Sequence, residues 1–301
     1  MPRRLALPIR IAVLASLMVA PIALSRQALA APAAGTAAAR SPMTIVVCAP
    51  GQPGTTGAAQ PTMDTFAAAA SDAAGWPAGS VRAVYFETAE GGLKRLAEPD
   101  AALALVSLPF FLQHETTLRL APRLQAVQES GATDTWGLAA RRGRVASAAT
   151  LAGWEITGTA GYAPDFVRGP LLGSWGQPPA TARITFTANV LSALRRAASG
   201  EQVAVLVDGA QTAAIGTLPF GGELEIVARS GALPGTIVCG VGARPRGAEL
   251  DRLLGGLQRL HTRPEWTDVL KTMRLVRFEP VDATALDTAR RARDAVRTGG
   301  P

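Results

Sequence analysis

The chain has 301 residues, 48% hydrophobic and 18% charged, which excludes intrinsic disorder and leaves enough apolar material for one large or two ordinary domains. The formal charge of +7 is inflated by Arg3, Arg4, Arg10 and Arg26, which lie in an N-terminal segment expected to be removed. Taking those four from the 30 Lys and Arg residues leaves 26 against 23 acidic ones, about +3. So small and scattered an excess gives no footing for a nucleic-acid partner.

Arg3, Arg4 and Arg10 precede an apolar run, Ile11 to Leu24, and Ala28-Leu29-Ala30 then supplies a small-x-small cleavage site. Residues 1–30 are therefore a predicted secretory signal peptide, cleaved near Ala30. Pro21 interrupts a run already shorter than the ~20 residues a membrane span needs. Export by the Sec or the twin-arginine route remains open. Ala31 to Pro42, rich in Ala, Pro and Gly, reads as a flexible leader.

Thr44 to Gly57, TIVVCAPGQPGTTG, opens the folded part. Ile45 to Cys48 form a buried strand ended by a loop of Gly, Pro and Thr. Loops at the carboxyl ends of strands in open α/β sheets hold ligands. Gly51, Gly54 and Gly57 would let backbone approach one. No Gly-Lys-Ser/Thr follows, so this is no nucleotide phosphate loop. A helix is predicted over Pro61 to Ala74 with Thr62 as its cap, and a strand over Val81 to Phe86.

Two later stretches repeat one design. A short helix at Gly91 to Pro99 leads to the strand Ala101 to Val106 and then Ser107. A helix at Asn189 to Ser199 leads to the strand Gln202 to Val207 and then Asp208. Each puts a polar residue at the tip of an all-apolar strand, as buried parallel strands do. Between them, strands are predicted at Leu120 to Val127, Thr135 to Ala140 and Leu151 to Gly158. Thr159-Ala160-Gly161-Tyr162 then enters a helix starting at Pro164. Another strand spans Arg183 to Thr187. The last part comprises a strand at Thr236 to Gly242 and helices at Ala248 to His261 and Pro264 to Thr272. An extended segment at Arg274 to Pro280 and a helix at Ala283 to Val296 complete it.

Catalytic signatures are missing. His114, in an expected polar turn, and His261 are the only histidines, and no Cys pair has metal-ligand spacing. Gly173-Ser174-Trp175-Gly176 lacks the first Gly of a nucleophile elbow. Arg141, Arg142 and Arg144 read as a solvated loop. Cys48 and Cys239 both sit in apolar runs, where they form one disulfide in an oxidising compartment or two small buried hydrophobes. Neither enzyme activity nor a cofactor or metal is expected.

The order of segments resembles the type II periplasmic solute-binding proteins of ABC transporters, and within them the phosphate/phosphite/phosphonate-binding (PhnD-like) group. The resemblance covers about Thr44 to Val281. It rests on ARSGALPG (228–235) followed by TIVCGVGARP, on PEWTDVLKTMRLVRFEPVD (264–282), and on RGRVASAATLAGWEITGTAGYAPDFV (142–167). It implies two α/β lobes, each a mostly parallel sheet flanked by helices, joined by two crossing strands. Residues 43–140 and 240–301 would form one lobe and 141–239 the other, with Ser107 and Asp208 facing each other across a cleft. The implied ligand-binding residues are Pro50, Gly51, Thr55, Thr56, Gly57, Ser107, Thr159, Gly161, Tyr162, Asp208 and Gln211. Of the Ser/Thr cluster that the group uses for anions, Thr159 remains, beside Ala160 and Gly161. Asp208 matches an acidic residue used toward amine-bearing phosphonates. The implied function is that of a monomeric periplasmic protein delivering a small, phosphate- or phosphonate-like solute to an inner-membrane ABC permease by hinge closure. A sensing subunit with a signalling partner, an organic solute, or an enzyme on the same scaffold are the alternatives.

Overall fold

The computed structural model describes residues 42–242 and 247–299; the expected signal peptide and all but the last residue of the expected leader lie outside them. The first sheet is built from β1 (Met43–Cys48), β2 (Val81–Phe86), β3 (Ala101–Ser107) and β4 (Leu120–Gln128) with helices α1 (Thr56–Ala73), α2 (Ala89–Ala97) and α3 (Leu108–Leu118) between them. The chain then passes through the two-residue β5 (Thr133–Asp134) into a second sheet. There it forms β6 (Gly137–Arg141), β7 (Glu155–Gly158), α4 (Pro164–Phe166) continuing as a π turn at Val167–Leu171, β8 (Arg183–Phe186), α5 (Val190–Ala198), β9 (Val203–Val207), α6 (Gly209–Ala214) and β10 (Leu224–Arg229). It returns through β11 (Leu233–Pro234), paired with β5, to β12 (Thr236–Val241), α7 (Gly247–Arg259), α8 (Thr267–Thr272), β13 (Leu275–Pro280) and α9 (Ala283–Thr298).

The strand orders are β13-β4-β12-β3-β1-β2 and β10-β6-β9-β7-β8. Both sheets are parallel where strands and helices alternate, β1 with β2 and β3, β7 with β8 and β9. They turn antiparallel where the chain crosses between them, at β4, β12 and β13 and at β6 and β10. The pairing corrects the expected boundaries. Gly137–Arg141 belongs to the second sheet and Thr236–Val241 to the first, so the crossings fall at residues 129–136 and 230–235 rather than at 140/141 and 239/240. Both misplaced strands are apolar throughout, and nothing local tells such a strand which sheet it joins.

Period-2 alternation divides the core. In β9, Val203, Val205 and Val207 face α5, while Ala204 and Leu206 face the other way. In β12, Ile237, Cys239 and Val241 join that same inner core, and Val238 joins the layer beneath α1, α7 and α8. The inner core is continuous between the sheets: Val46, Val106 and Phe110 from the first share one cluster with Leu138, Trp154, Phe166 and Leu206 from the second. Cys48 and Cys239 both lie in it as free thiols. Strand β3 runs between their strands, pairing Val106 with Cys48 and Ala104 with Cys239. Two strand spacings of ~4.8 Å exceed the ~7 Å reach of a disulfide. Burial pushes the Cys48 thiol up to about 12 and raises that of Cys239 as well.

Several local expectations shift. Helix α1 begins at Thr56, capped by Thr55 and carrying Pro61 inside it, rather than at Pro61 capped by Thr62. The expected strand at Leu151 to Gly158 starts only at Glu155. The expected polar turn at His114 is the middle of α3, where its ring packs 4.7 Å from that of Phe110. Arg141 and Arg142 are not freely solvated, since they donate to backbone carbonyls of Ala198, Gly222 and Leu224.

Helix α9 touches helices that belong to both sheets' halves of the chain. Arg293, 8% exposed in its side chain, donates to the Leu112 carbonyl (2.8 Å) and pairs with Glu115, both in α3. Arg290 pairs with the same carboxylate at 2.8 Å. On the other flank, Gly169 of the π turn packs so closely on α9 that a Cβ there would stand 2.3 Å from the Ala292 carbonyl. Arg297 reaches Asp165 of α4 at 2.7 Å. Glu115→Ala would leave the buried Arg293 with the more exposed Asp294 of its own helix (2.8 Å) as its remaining carboxylate. The expected loss, read by chemical denaturation, is about 3 kcal/mol, as for other buried pairs broken from one side.

Candidate functional site

The two expected strand tips both run directly into helices. β3 ends at Ser107, the residue before α3, and β9 ends before Asp208, the residue before α6. Neither helix was anticipated from the sequence, although Pro109 near the start of α3 is a usable signal. Asp208 caps α6 in the ordinary way. Its Oδ1 accepts from the Gln211 N–H (2.7 Å), and the Gln211 side chain accepts from the Asp208 N–H (3.1 Å), a complete capping box. Ser107 makes no such cap. Its hydroxyl instead hydrogen-bonds the Tyr162 hydroxyl at 3.1 Å.

Tyr162 lies in the turn that follows β7 of the second sheet, so this bond joins the two halves. Burial pushes its phenol well up; the Ser107 hydrogen bond and the Phe110 N–H pull it partly back. The phenol is therefore neutral and can donate. Its ring meets that of Phe186 edge-on, with centroids 6.1 Å apart.

A second contact closes the same seam. Gly51 has φ +79, a left-handed conformation that favours glycine, and its N–H donates to the Glu87 carbonyl (3.2 Å). A Cβ on Gly51 would stand 2.8 Å from Thr159 Cγ2 and 3.2 Å from the Phe186 ring. The loop from Pro50 onward thus rests on Thr159, itself 5% exposed. Gly161 lies behind Thr159 against strand β8, where a Cβ would come within 1.8 Å of the Thr185 carbonyl oxygen.

The structure therefore brings together Gly51 with Thr159 and Ser107 with Tyr162. Across from Ser107 stands Tyr162, not Asp208 as expected. Asp208 and Gln211 satisfy one another, beside Asp134, whose Oδ1 accepts from the Gly209 N–H at 3.0 Å. Burial raises the Asp208 carboxyl, and the charge of Asp134 adds to the shift. Thr55 caps α1, and Thr56 donates to Glu87 Oε2 through its N–H (3.0 Å) and hydroxyl (2.7 Å), so these two support the loop from below. A Cβ on Gly57 would meet open space. Phe186, 45% exposed and touching both contacts, was missed. Among the described residues no group of three or more His, Cys, Asp or Glu could hold a metal ion.

No protein-family model and no curated protein matches the chain in sequence. Solved structures do match in shape. XAC2383 from Xanthomonas citri, bound to chloride, superimposes with a TM-score of 0.67 at 14% identity, covering 85% of this chain and 99% of that one. The same protein bound to ATP gives a TM-score of 0.65 at 15% identity, over 85% and 98%. The binding-protein component of an ABC phosphonate transporter from Pseudomonas aeruginosa gives 0.59 at 14% identity, over 87% and 90%. PhnD1 from Prochlorococcus marinus, in complex with methylphosphonate, gives 0.57 at 11% identity, over 85% and 99%. The fold is that of a two-lobe, type II periplasmic solute-binding protein. Phosphonate-binding proteins share it, and at these identities the likeness establishes the fold alone.

Asp208 lies apart from that seam, in the cap of α6. Asp208 has a raised carboxyl, so the unfolded chain ionises before the folded one as pH climbs. Its contribution is complete below the ordinary value of 3.8 and is lost as pH rises through the raised one. Asp208→Asn, which keeps a competent cap, is expected to match the parent in acid and to exceed it in stability near neutral pH. Denaturation midpoints across that range test this. Gly161→Ala meets backbone rather than a movable side chain, and an expected loss of about 3 kcal/mol would be read from the same curves.

Proposed function

We propose that the chain is an exported, monomeric solute-binding protein. It takes a small solute between its two lobes and presents it to an inner-membrane ABC permease by hinge closure, without making or breaking bonds. The observation that carries this reading is the seam. Ser107 at the start of α3 and Thr159 before α4 lie on opposite lobes, and each touches its counterpart across the closure. A solute entering between them meets hydroxyls from both sides, and the Phe110 N–H at the start of α3, which now meets the Tyr162 hydroxyl, is released to an oxyanion when that contact breaks. The likeness in fold to phosphonate-binding proteins and to a protein solved with ATP supports a phosphate- or phosphonate-like ligand. Pro50, Gly51, Thr159 and Tyr162 form the rim in this reading. Thr55, Thr56 and Gly57 anchor the first-lobe loop, and Asp208 and Gln211 hold the second-lobe tip.

Tyr162 sets the terms of entry. Its hydroxyl occupies Ser107, so the Ser107–Tyr162 bond breaks before a solute reaches that tip. Tyr162→Phe removes a hydrogen bond worth about 1 kcal/mol, which shifts the open–closed balance roughly fivefold toward open. Small-angle scattering or a fluorescence pair across the lobes would read that change in the ligand-free protein.

The ligand assignment is tested by thermal shift with phosphate, phosphite, methylphosphonate, an alkyl sulfonate and ATP. A true ligand at a hundred times its dissociation constant adds about 2.7 kcal/mol, easily seen as a rise in Tm. Silence toward all five would sink the oxyanion reading and leave the fold untouched.

A further inference from the structure

The second sheet carries a pocket of its own. It lies between α5 and the strands β7 and β8, has a volume of about 250 Å³, and opens on the β8 edge of the sheet. Its floor is an ion pair with no charge to spare. Glu155 accepts from Arg196 at 2.8 Å through one oxygen and from the Thr185 hydroxyl at 2.8 Å through the other. Arg196 also holds Glu201 at 2.8 Å, and Arg183 acts on Glu155 as well. Two arginines thus balance two carboxylates. Burial alone would raise the Glu155 carboxyl, but the hydrogen bonds from Thr185 and Arg196 bring it below its ordinary value and keep the pair ionised. An ion would gain nothing from such a floor.

The walls are hydroxyls and one amide. Asn189 spends its side-chain oxygen on the Ser192 N–H (3.0 Å), which turns its amide N–H2 to other partners. The Thr187 hydroxyl accepts from the Asn189 N–H (3.1 Å) and keeps its proton to give. Thr157 is 2% exposed and lines the pocket. Phe186 adds one apolar face, 45% exposed.

We propose that this pocket binds a small neutral polyhydroxylated solute, of monosaccharide or cyclic-polyol size. Such a molecule offers hydroxyls that both donate and accept, matching the alternation of Thr157, Thr187, Asn189 and Ser192, and a C–H face for Phe186. A neutral floor selects it over phosphates and amines. The proposal stands apart from the seam, to which only Phe186 is common.

Titration calorimetry and ligand-observed NMR of the protein with D-glucose, D-galactose, myo-inositol and glycerol provide the test. At least one is expected to bind saturably. Ser192→Trp, at an exposed helix position, fills the pocket and is expected to weaken binding by about tenfold or more. Thr157→Val keeps the shape and removes the hydroxyl, and should weaken binding less while melting like the parent. The proposal is overturned if none of the four binds, or if one binds equally well to both variants. It is also overturned if methylphosphonate, rather than a polyol, is the probe lost in Ser192→Trp.

Discussion

The buried ion pair between Arg293 and Glu115 is the constraint on which the arrangement of the two lobes depends. A guanidinium 8% exposed needs several acceptors; Asp294 of α9 itself provides one, and α3 provides a second carboxylate and a carbonyl. That fixes α9 to the first lobe, while Gly169 and Asp165 bring its other flank onto the second. One helix thus holds both lobes. Any opening of the lobes has to slide α9 over the π turn or lift it from α3.

The lobe halves differ in how they present their tips. At Asp208 the sequence pattern of a strand followed by a polar residue is a completed helix cap, with donor and acceptor both satisfied. At Ser107 the same pattern leaves the cap unmade and sends the hydroxyl across to the other lobe. Two similar stretches of sequence thus produce one structural junction and one contact able to exchange partners. This asymmetry leaves the Ser107 hydroxyl able to change partners, while Asp208 is engaged within its own helix cap.

Much of the architecture was legible in the residues. The strands around Ile45, Leu103 and Val205 are continuous apolar runs, and such runs need no partner to be recognised. Helix α3 was lost because LPFFLQHETTL passes from apolar to polar once, without a 3.6-residue rhythm, and because its N-cap side chain is engaged elsewhere. Helix α6 buries none of its residues and so carries no periodic signal. The lobe boundaries were misjudged because β6 and β12 pair with strands remote in sequence. The meeting of Ser107 with Tyr162 is of the same kind: each residue type is legible, but their contact is a property of packing. The loop at Gly51 was singled out for its glycines, and its geometry explains why one of them is needed.

Strand β12 has a consequence for how the molecule comes to exist. It sits between β3 and β4 in the first sheet, yet the whole second sheet separates it from them along the chain. The second lobe is one uninterrupted stretch and can pair all its own strands as soon as it is made. The first lobe lacks an interior strand until the chain has gone out and returned, so β3 and β4 wait with unpaired edges. Long-range closure of this kind raises contact order and slows folding. The inserted lobe can thus complete its own pairing with no help from the segments that flank it, whereas the first sheet needs both of them.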